Sequence, residues 1–192
     1  MSFWEQEIIY QYLFLISPDE KIISDVKNFK EDFFSRINSL NPNRYSTAHI
    51  SLLEYANADL SEENIIEHAK KALIQVQSFE INLIKFGVFH HGDFMRTIIL
   101  HIEKEEPIIH VSNLLAKEFK SLKGKMRQVC KKDAHLTIAK SITTAEYNKL
   151  KSHVDQLKYH AEFVCKSIQV FKKNINVEDA KYEFVAELLL KS

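Results

Sequence analysis

Two segments, Ala48-His49-Ile50-Ser51-Leu52 and Ala134-His135-Leu136-Thr137-Ile138, each place a histidine two residues before a hydroxyl inside an aliphatic run. In a β-strand alternate side chains share a face, so each histidine is expected beside its Ser or Thr while the aliphatic neighbours enter the core. The histidines lie 86 positions apart, and so do the starts of two apolar runs at Ile8 and Phe94. A chain with that internal offset is constrained to a duplicated fold. Two such pairs, brought together, make a metal-free site for phosphoryl chemistry.

The order of elements supports the duplication. Ile8 to Ile16 reads as a buried strand that stops at Ser17-Pro18. A helix follows, with Val26, Phe29, Phe33, Ile37 and Leu40 spaced by three or four and Ser24 placed to cap its start. The first histidine segment, Ala48 to Tyr55, is the next strand, and Ser61 with Glu62 and Glu63 opens a second helix. Phe79 to Phe89 closes a β-α-β-α-β unit. After a turn at His91-Gly92-Asp93 the order repeats: a strand over Phe94 to Ile102, a helix with Pro107 in its first turn, and the second histidine strand, Ala134 to Ala139. Thr143 and Glu146 then form a capping box, Ala161 to Phe171 completes the second unit as one strand, and Tyr182 to Leu190 adds another. The expected architecture is a single bilobed domain over 1–192, with lobe 1 about 1–91 and lobe 2 about 92–192.

Composition narrows the class of protein. With 192 residues, 45% of them apolar, the chain can bury a real core. Lysine plus arginine equals aspartate plus glutamate, at 26 each, so no global field draws it to nucleic acid or membrane, and an anionic ligand needs a local patch. Lys117, Lys120, Lys123, Lys125, Arg127, Lys131 and Lys132 can form such a stripe for an RNA backbone, or a solvated helix end and loop. Cys130 and Cys165 lack metal or redox spacing, and the N-terminus lacks a signal-peptide layout, so a cytoplasmic setting with reduced thiols is expected. Ile8 to Ile16 is too short to span a bilayer. A monomer without cofactor or metal is the expectation.

The paired segments in their duplicated strand context resemble the two-histidine (2H) phosphoesterase superfamily, especially its 2′,5′ RNA ligase-like branch. His135-Leu136-Thr137-Ile138-Ala139-Lys140 is similar to that branch, including the basic residue; His49-Ile50-Ser51-Leu52 matches more loosely, with Ser for the commoner Thr. Phe163 to Val170 followed by Tyr182-Glu183-Phe184 is similar to the branch's closing hairpin, although Lys173-Asn174-Ile175-Asn176 lacks its usual glycines. The resemblance implies an α+β fold of mainly antiparallel sheets flanking a central cleft. It also implies hydrolysis or transfer at RNA phosphodiesters without a metal, and a phosphate-binding role for Lys140. On strict alternation, however, Lys140 points away from the face shared by His135, Thr137 and Ala139 unless the strand bends.

The chemistry follows from the residue types. Opening a 2′,3′-cyclic phosphate needs a base to deprotonate the attacking water and, opposite it, an acid to protonate the leaving ribose oxygen. Histidine suits both tasks, since its ordinary pKa of about 6.5 leaves both forms accessible near neutrality. Ser51 and Thr137 can donate hydrogen bonds to non-bridging phosphate oxygens. Partly by analogy with the family, His135 is expected as the base and His49 as the acid. Arg44 and Tyr45 precede the first motif, where Tyr45 can stack on a base and Arg44 meet a phosphate, or both can simply pack the loop. His90-His91 reads as a solvated turn, and His101 with Glu103 has a metal-ligand spacing but no third ligand. Phe3 and Trp4 are expected to cover a sheet edge. A reversible 2′,5′ ligase, a nuclease that trims RNA 3′ ends, a non-catalytic RNA- or nucleotide-binding module, and a purely structural role for both histidines complete the alternatives.

Overall fold

Local sequence signals account for where the helices begin. The computed structural model describes residues 8–192, so Phe3 and Trp4 lie outside the described residues. Strand β1 (Tyr10–Ile16) is followed by α1 (Glu20–Arg36), whose cap is Asp19: its carboxylate accepts from the Ile22 N–H at 2.9 Å. The helix therefore starts ahead of Ser24, which lies inside it, and ends before Leu40, which is 87% exposed. A 3₁₀ turn (Pro42–Tyr45) leads into β2 (Ile50–Asn57). Helix α2 (Glu62–Leu73) is capped by Ser61, and α3 (Glu106–Lys120) carries Pro107 in its first turn. Helix α4 (Thr144–Gln156) opens on a capping box, in which the Glu146 N–H donates to Thr143 Oγ1 and the Thr143 N–H donates to the Glu146 carboxylate.

The remaining strands are β3 (Phe79–His91), β4 (Met95–Ile102), β5 (Lys125–Gln128), β6 (His135–Thr143), β7 (Ala161–Cys165), β8 (Ser167–Asn174) and β9 (Glu183–Leu189). They form two sheets with antiparallel neighbours, a five-stranded one in the order β5-β2-β1-β8-β9 and a four-stranded one in the order β6-β4-β3-β7. The fold is α+β. Lys125 to Gln128, within the run expected as a docking stripe or a solvated helix end and loop, is an edge strand on β2.

The boundary expected near 91–92 falls in the β3–β4 turn, where Gly92 adopts a positive φ of 63°, but the sheets do not divide there. β3, from the first half of the chain, pairs with β4 in the four-stranded sheet, while β8, from the second half, pairs with β1 in the five-stranded one. Each repeat thus lends its last strand to the other's sheet. The run from Ala161 to Phe171 is accordingly two strands, β7 and β8, parted at Lys166 and lying in different sheets. Burial falls on Phe163 and Cys165 before Lys166 and on Ile168 and Val170 after it, a one-residue slip in alternation that read along the chain resembles a bulge within one strand.

The helices are exchanged too. Phe29 and Phe33 of α1 pack on Phe86 of β3, with ring centroids 5.1 and 5.9 Å apart, and α4 packs beside α1 under that sheet. From the other repeat, Phe119 of α3 meets Phe14 and Tyr55 of the five-stranded sheet at 5.1 and 4.8 Å, with α2 beside it. Each sheet is backed by helices on the face opposite its histidine motif, and one apolar core runs through both. Replacing the α4 cap, Thr143→Ala, is expected to lower unfolding free energy by about 1 kcal/mol, read as a lower denaturant midpoint at unchanged slope.

Candidate active site

Both motifs are built the same way. His49 stands immediately ahead of β2 and His135 is the first residue of β6. His49, Ser51, His135 and Thr137 are half-buried, while Ile50, Leu52, Leu136 and Ile138 are fully buried against the helices. The His49 Nδ1–H donates to the Thr47 carbonyl at 2.8 Å, and the His135 Nδ1–H donates to the Asp133 carbonyl at 2.7 Å. A carbonyl can only accept, so in both rings Nδ1 carries the hydrogen and Nε2 is left to gain or lose a proton.

A register shift follows each motif at the same place. On β2, Ser51 pairs with Leu15 and Leu53 with Phe14, so Leu52 is an extra residue. On β6, Thr137 pairs with Ile99 and Ala139 with Ile98, so Ile138 is the extra one. The Leu52 bulge is anchored: its carbonyl accepts from the Val129 and Cys130 N–H groups and from the buried hydroxyl of Ser112 at 3.0, 3.2 and 3.0 Å. The consequence for Lys140 corrects strict alternation. Ala139 is turned to the helix side with Ile98, and Lys140 returns to the face of His135 and Thr137. A second irregularity opposite Thr97, with Ser141 at a φ of 56°, frees the exposed Lys140 side chain. On β2 the same flip returns Glu54 to the face of His49 and Ser51.

The two halves are tied together ahead of the first motif. The Asn41 side-chain amide donates to the Lys140 carbonyl at 3.0 Å, and the Lys140 N–H donates to Asn43 Oδ1 at 2.8 Å. The turn before His49 is thereby bonded to the strand of His135, and β2 packs against β6. The ammonium of Lys30, from α1, donates to the Asn43 and Ser46 carbonyls and the Ser46 hydroxyl. Sequence reasoning missed Lys30, because a lone lysine in an amphipathic helix reads as exposed.

Burial is the main cause lowering both histidines from their ordinary value, and the neighbouring charges differ in sign. Lys30 and Lys140 act on His49 and push it further down, against the lift from its bond to the Thr47 carbonyl. Around His135 the bond to the Asp133 carbonyl and the Asp133 and Glu105 carboxylates oppose burial, with His101 adding to the lowering. His101 is the direct cross-strand neighbour of His135, and its ring lies over Gly87, where a Cβ would come within 2.1 Å of Nε2. The edge of Phe89 meets the His135 ring at 4.8 Å.

Other expected contacts fall elsewhere. Arg44 and Tyr45 stack on one another at 6.0 Å and line a groove against Lys27 and Glu31 of α1, which reaches Thr47 but neither histidine. Tyr45 is 77% exposed. Of the basic run, Arg127 is held by Glu54 through two hydrogen bonds of 2.9 and 2.7 Å, while Lys117, Lys120, Lys123, Lys125, Lys131 and Lys132 are exposed. Among the described residues no three His, Cys, Asp or Glu side chains converge to hold a metal ion, and no helix is long and apolar enough to cross a membrane.

The backbone is similar to known structures at low sequence identity. The Escherichia coli protein LigT, seen with 3′-AMP, superposes with a TM-score of 0.64 at 11% identity, covering 96% of this chain and 99% of that one. TT0787 of Thermus thermophilus gives 0.64 at 12% identity, covering 94% and 98%. Usb1 of Kluyveromyces marxianus with uridine monophosphate gives 0.51 at 13% identity, also covering 94% and 98%. Among curated protein sequences none matches significantly. The model of the 2′-5′ RNA ligase superfamily, however, matches residues 18–175, which include both histidine motifs, and the chain belongs to that superfamily.

Proposed function

We propose that this protein is a metal-independent phosphodiesterase that acts on RNA-derived 2′,3′-cyclic phosphates or 2′,5′-linked phosphodiesters, with His49 and His135 as its acid/base pair. The observation that carries this reading is the matched construction of the two motifs: each ring is anchored through Nδ1 to the carbonyl two residues upstream, and a bulge follows each hydroxyl. A structural role would not require both rings to expose Nε2 on the helix-free face. In-line displacement does require one proton acceptor and one proton donor on opposite sides of the phosphorus. Ser51, Thr137 and Lys140 share the histidine faces and supply donors and charge for the non-bridging oxygens. Relatives seen with 3′-AMP and uridine monophosphate support a nucleotide or RNA substrate. Arg44 and Tyr45, in the neighbouring groove, would meet a longer substrate. The buried, free thiols of Cys130 and Cys165, pushed by burial up to about 11 and about 12, accord with a reduced, cytoplasmic setting, and we take the working unit to be a monomer.

The deciding experiment is a screen of cyclic-phosphate mononucleotides, 2′,5′-linked oligonucleotides and RNA ending in a cyclic phosphate, with chelator present. Turnover is expected to survive the chelator; loss restored by one divalent ion refutes the mechanism. Binding without turnover of any of these would favour the binding module. His49→Ala and His135→Ala are each expected to cost about 10²–10⁴-fold in kcat. The double mutant should be little worse than the poorer single one, because the pair acts as a unit. Normal turnover by folded His135→Ala would end the assignment.

Both histidines are lowered, so the neutral base persists to more acid pH and the protonated acid is lost earlier on the alkaline side. The kcat/KM profile should therefore be a bell centred below about pH 6.5, with limbs that belong to the coupled pair. A maximum above pH 8 would contradict it.

A further inference from the structure

Among the described residues Lys30 is the one buried charged side chain, 1% exposed within α1. Its ammonium has three hydrogens and makes three bonds, to the Asn43 carbonyl at 3.1 Å, the Ser46 carbonyl at 2.9 Å and Ser46 Oγ at 2.6 Å. Ser46 Oγ also accepts from the Asn43 side-chain amide, and Asn43 Oδ1 receives the Lys140 N–H. Lys30 is therefore the root of a chain of bonds from α1 through the turn before His49 to the strand of His135.

None of its partners is a carboxylate, and among the described residues no carboxylate forms an ion pair with it. Burying an uncompensated ammonium is costly, and a neutral donor could tie down a turn at lower cost. Burial pushes Lys30 down to about 8, which leaves it mainly charged at neutrality. The charge is felt at His49. The charged groups acting on that ring are Lys30 from α1 and Lys140 from β6, both cations. Those acting on His135 are Asp133 and Glu105, with His101; the Glu105 carboxylate is fixed beside the motif by the Ala134 N–H at 2.8 Å.

We propose that Lys30 is a positioning residue for His49: its ammonium clamps the turn that leads into the first motif, and its uncompensated charge makes His49 the proton acceptor and His135 the proton donor. This rests on the acid/base reading of the pair and reverses the order expected from the family resemblance. In hydrolysis of a cyclic phosphate, the attacking water passes a proton to His49 Nε2 as its oxygen bonds to phosphorus. The bond from phosphorus to the leaving ribose oxygen breaks, and that oxygen takes the proton from His135 Nε2. The two histidines end with their protonation exchanged and recover through solvent.

The test reads each imidazole directly. In the wild-type protein, NMR titration of histidine ring signals, assigned with His49→Gln and His135→Gln, should show His49 titrating below His135. In Lys30→Met the His49 titration should move up while that of His135 stays in place. Asn43→Ala keeps the charge but cuts the link to Lys140, and should lower kcat without moving the His49 titration. His135 titrating below His49 in the wild type overturns the proposal, even if Lys30→Met does not fold. So does a Lys30→Met protein in which both histidines shift equally or neither does. If no phosphodiester is turned over, the proposed function fails on its own, and the order of titration still decides the role of Lys30.

Discussion

Pairing between β1 and β8 and between β3 and β4 is the constraint on which the rest of this structure depends. Each joins strands from different repeats, so neither sheet exists until the chain has been threaded through both. Apolar faces that would be sheet edges or bare helices in a single repeat are covered by the other repeat. Phe14 of β1, from the first repeat, is covered by Phe119 of α3, from the second, while Phe86 of β3 enters the second repeat's sheet together with its own cover, Phe29 and Phe33 of α1. The histidine faces are what remains after that exchange, since the helices occupy the opposite sides. A half-chain ending at Gly92 would keep β1 without β8 and would leave β3 without β4 or β7 to pair with. Folding is thus expected to be cooperative across both halves, with many long-range contacts formed late.

The duplication is not carried into the charges. After the matched bulges, the position that returns to the motif face is Glu54 in one repeat and Lys140 in the other. Glu54 is occupied by Arg127 and by the Gln11 amide, so its charge is satisfied within its own sheet. Lys140 is exposed, and its field reaches across to His49. Two sites that share geometry are therefore placed in opposite electrostatic surroundings. A reaction that needs one proton acceptor and one donor calls for that asymmetry in a symmetric frame.

What could be read from sequence was what depends on neighbours along the chain. Val26, Phe29 and Phe33 mark α1, Thr143 and Glu146 mark the start of α4, and the two His-x-[Ser/Thr] runs mark the motif strands because local periodicity is enough. What escaped depends on pairing partners. The crossing at Lys166 shows along the chain only as a one-residue slip in alternation, and β5 is four mostly polar residues that become a strand only because β2 lies beside them. The bulges at Leu52 and Ile138 are visible only in the register against β1 and β4, and they decide that Glu54 and Lys140 return to the motif faces. Asp19 was overlooked as a cap because Ser24 competed for the role, although Pro18 already ended the strand before it. Lys30 gave no signal at all: its partners are two carbonyls and a hydroxyl, and no residue pattern announces a buried acceptor cluster.

The anchoring of the two rings has a consequence for how such a chain can drift. Thr47 and Asp133 hold the histidines through main-chain oxygens, so no side-chain replacement at either position removes the acceptor. The tautomer of each histidine is encoded by the path of the backbone rather than by any side chain. A lineage can therefore exchange nearly everything around the two motifs while the orientation of the rings persists for as long as the strands keep their course.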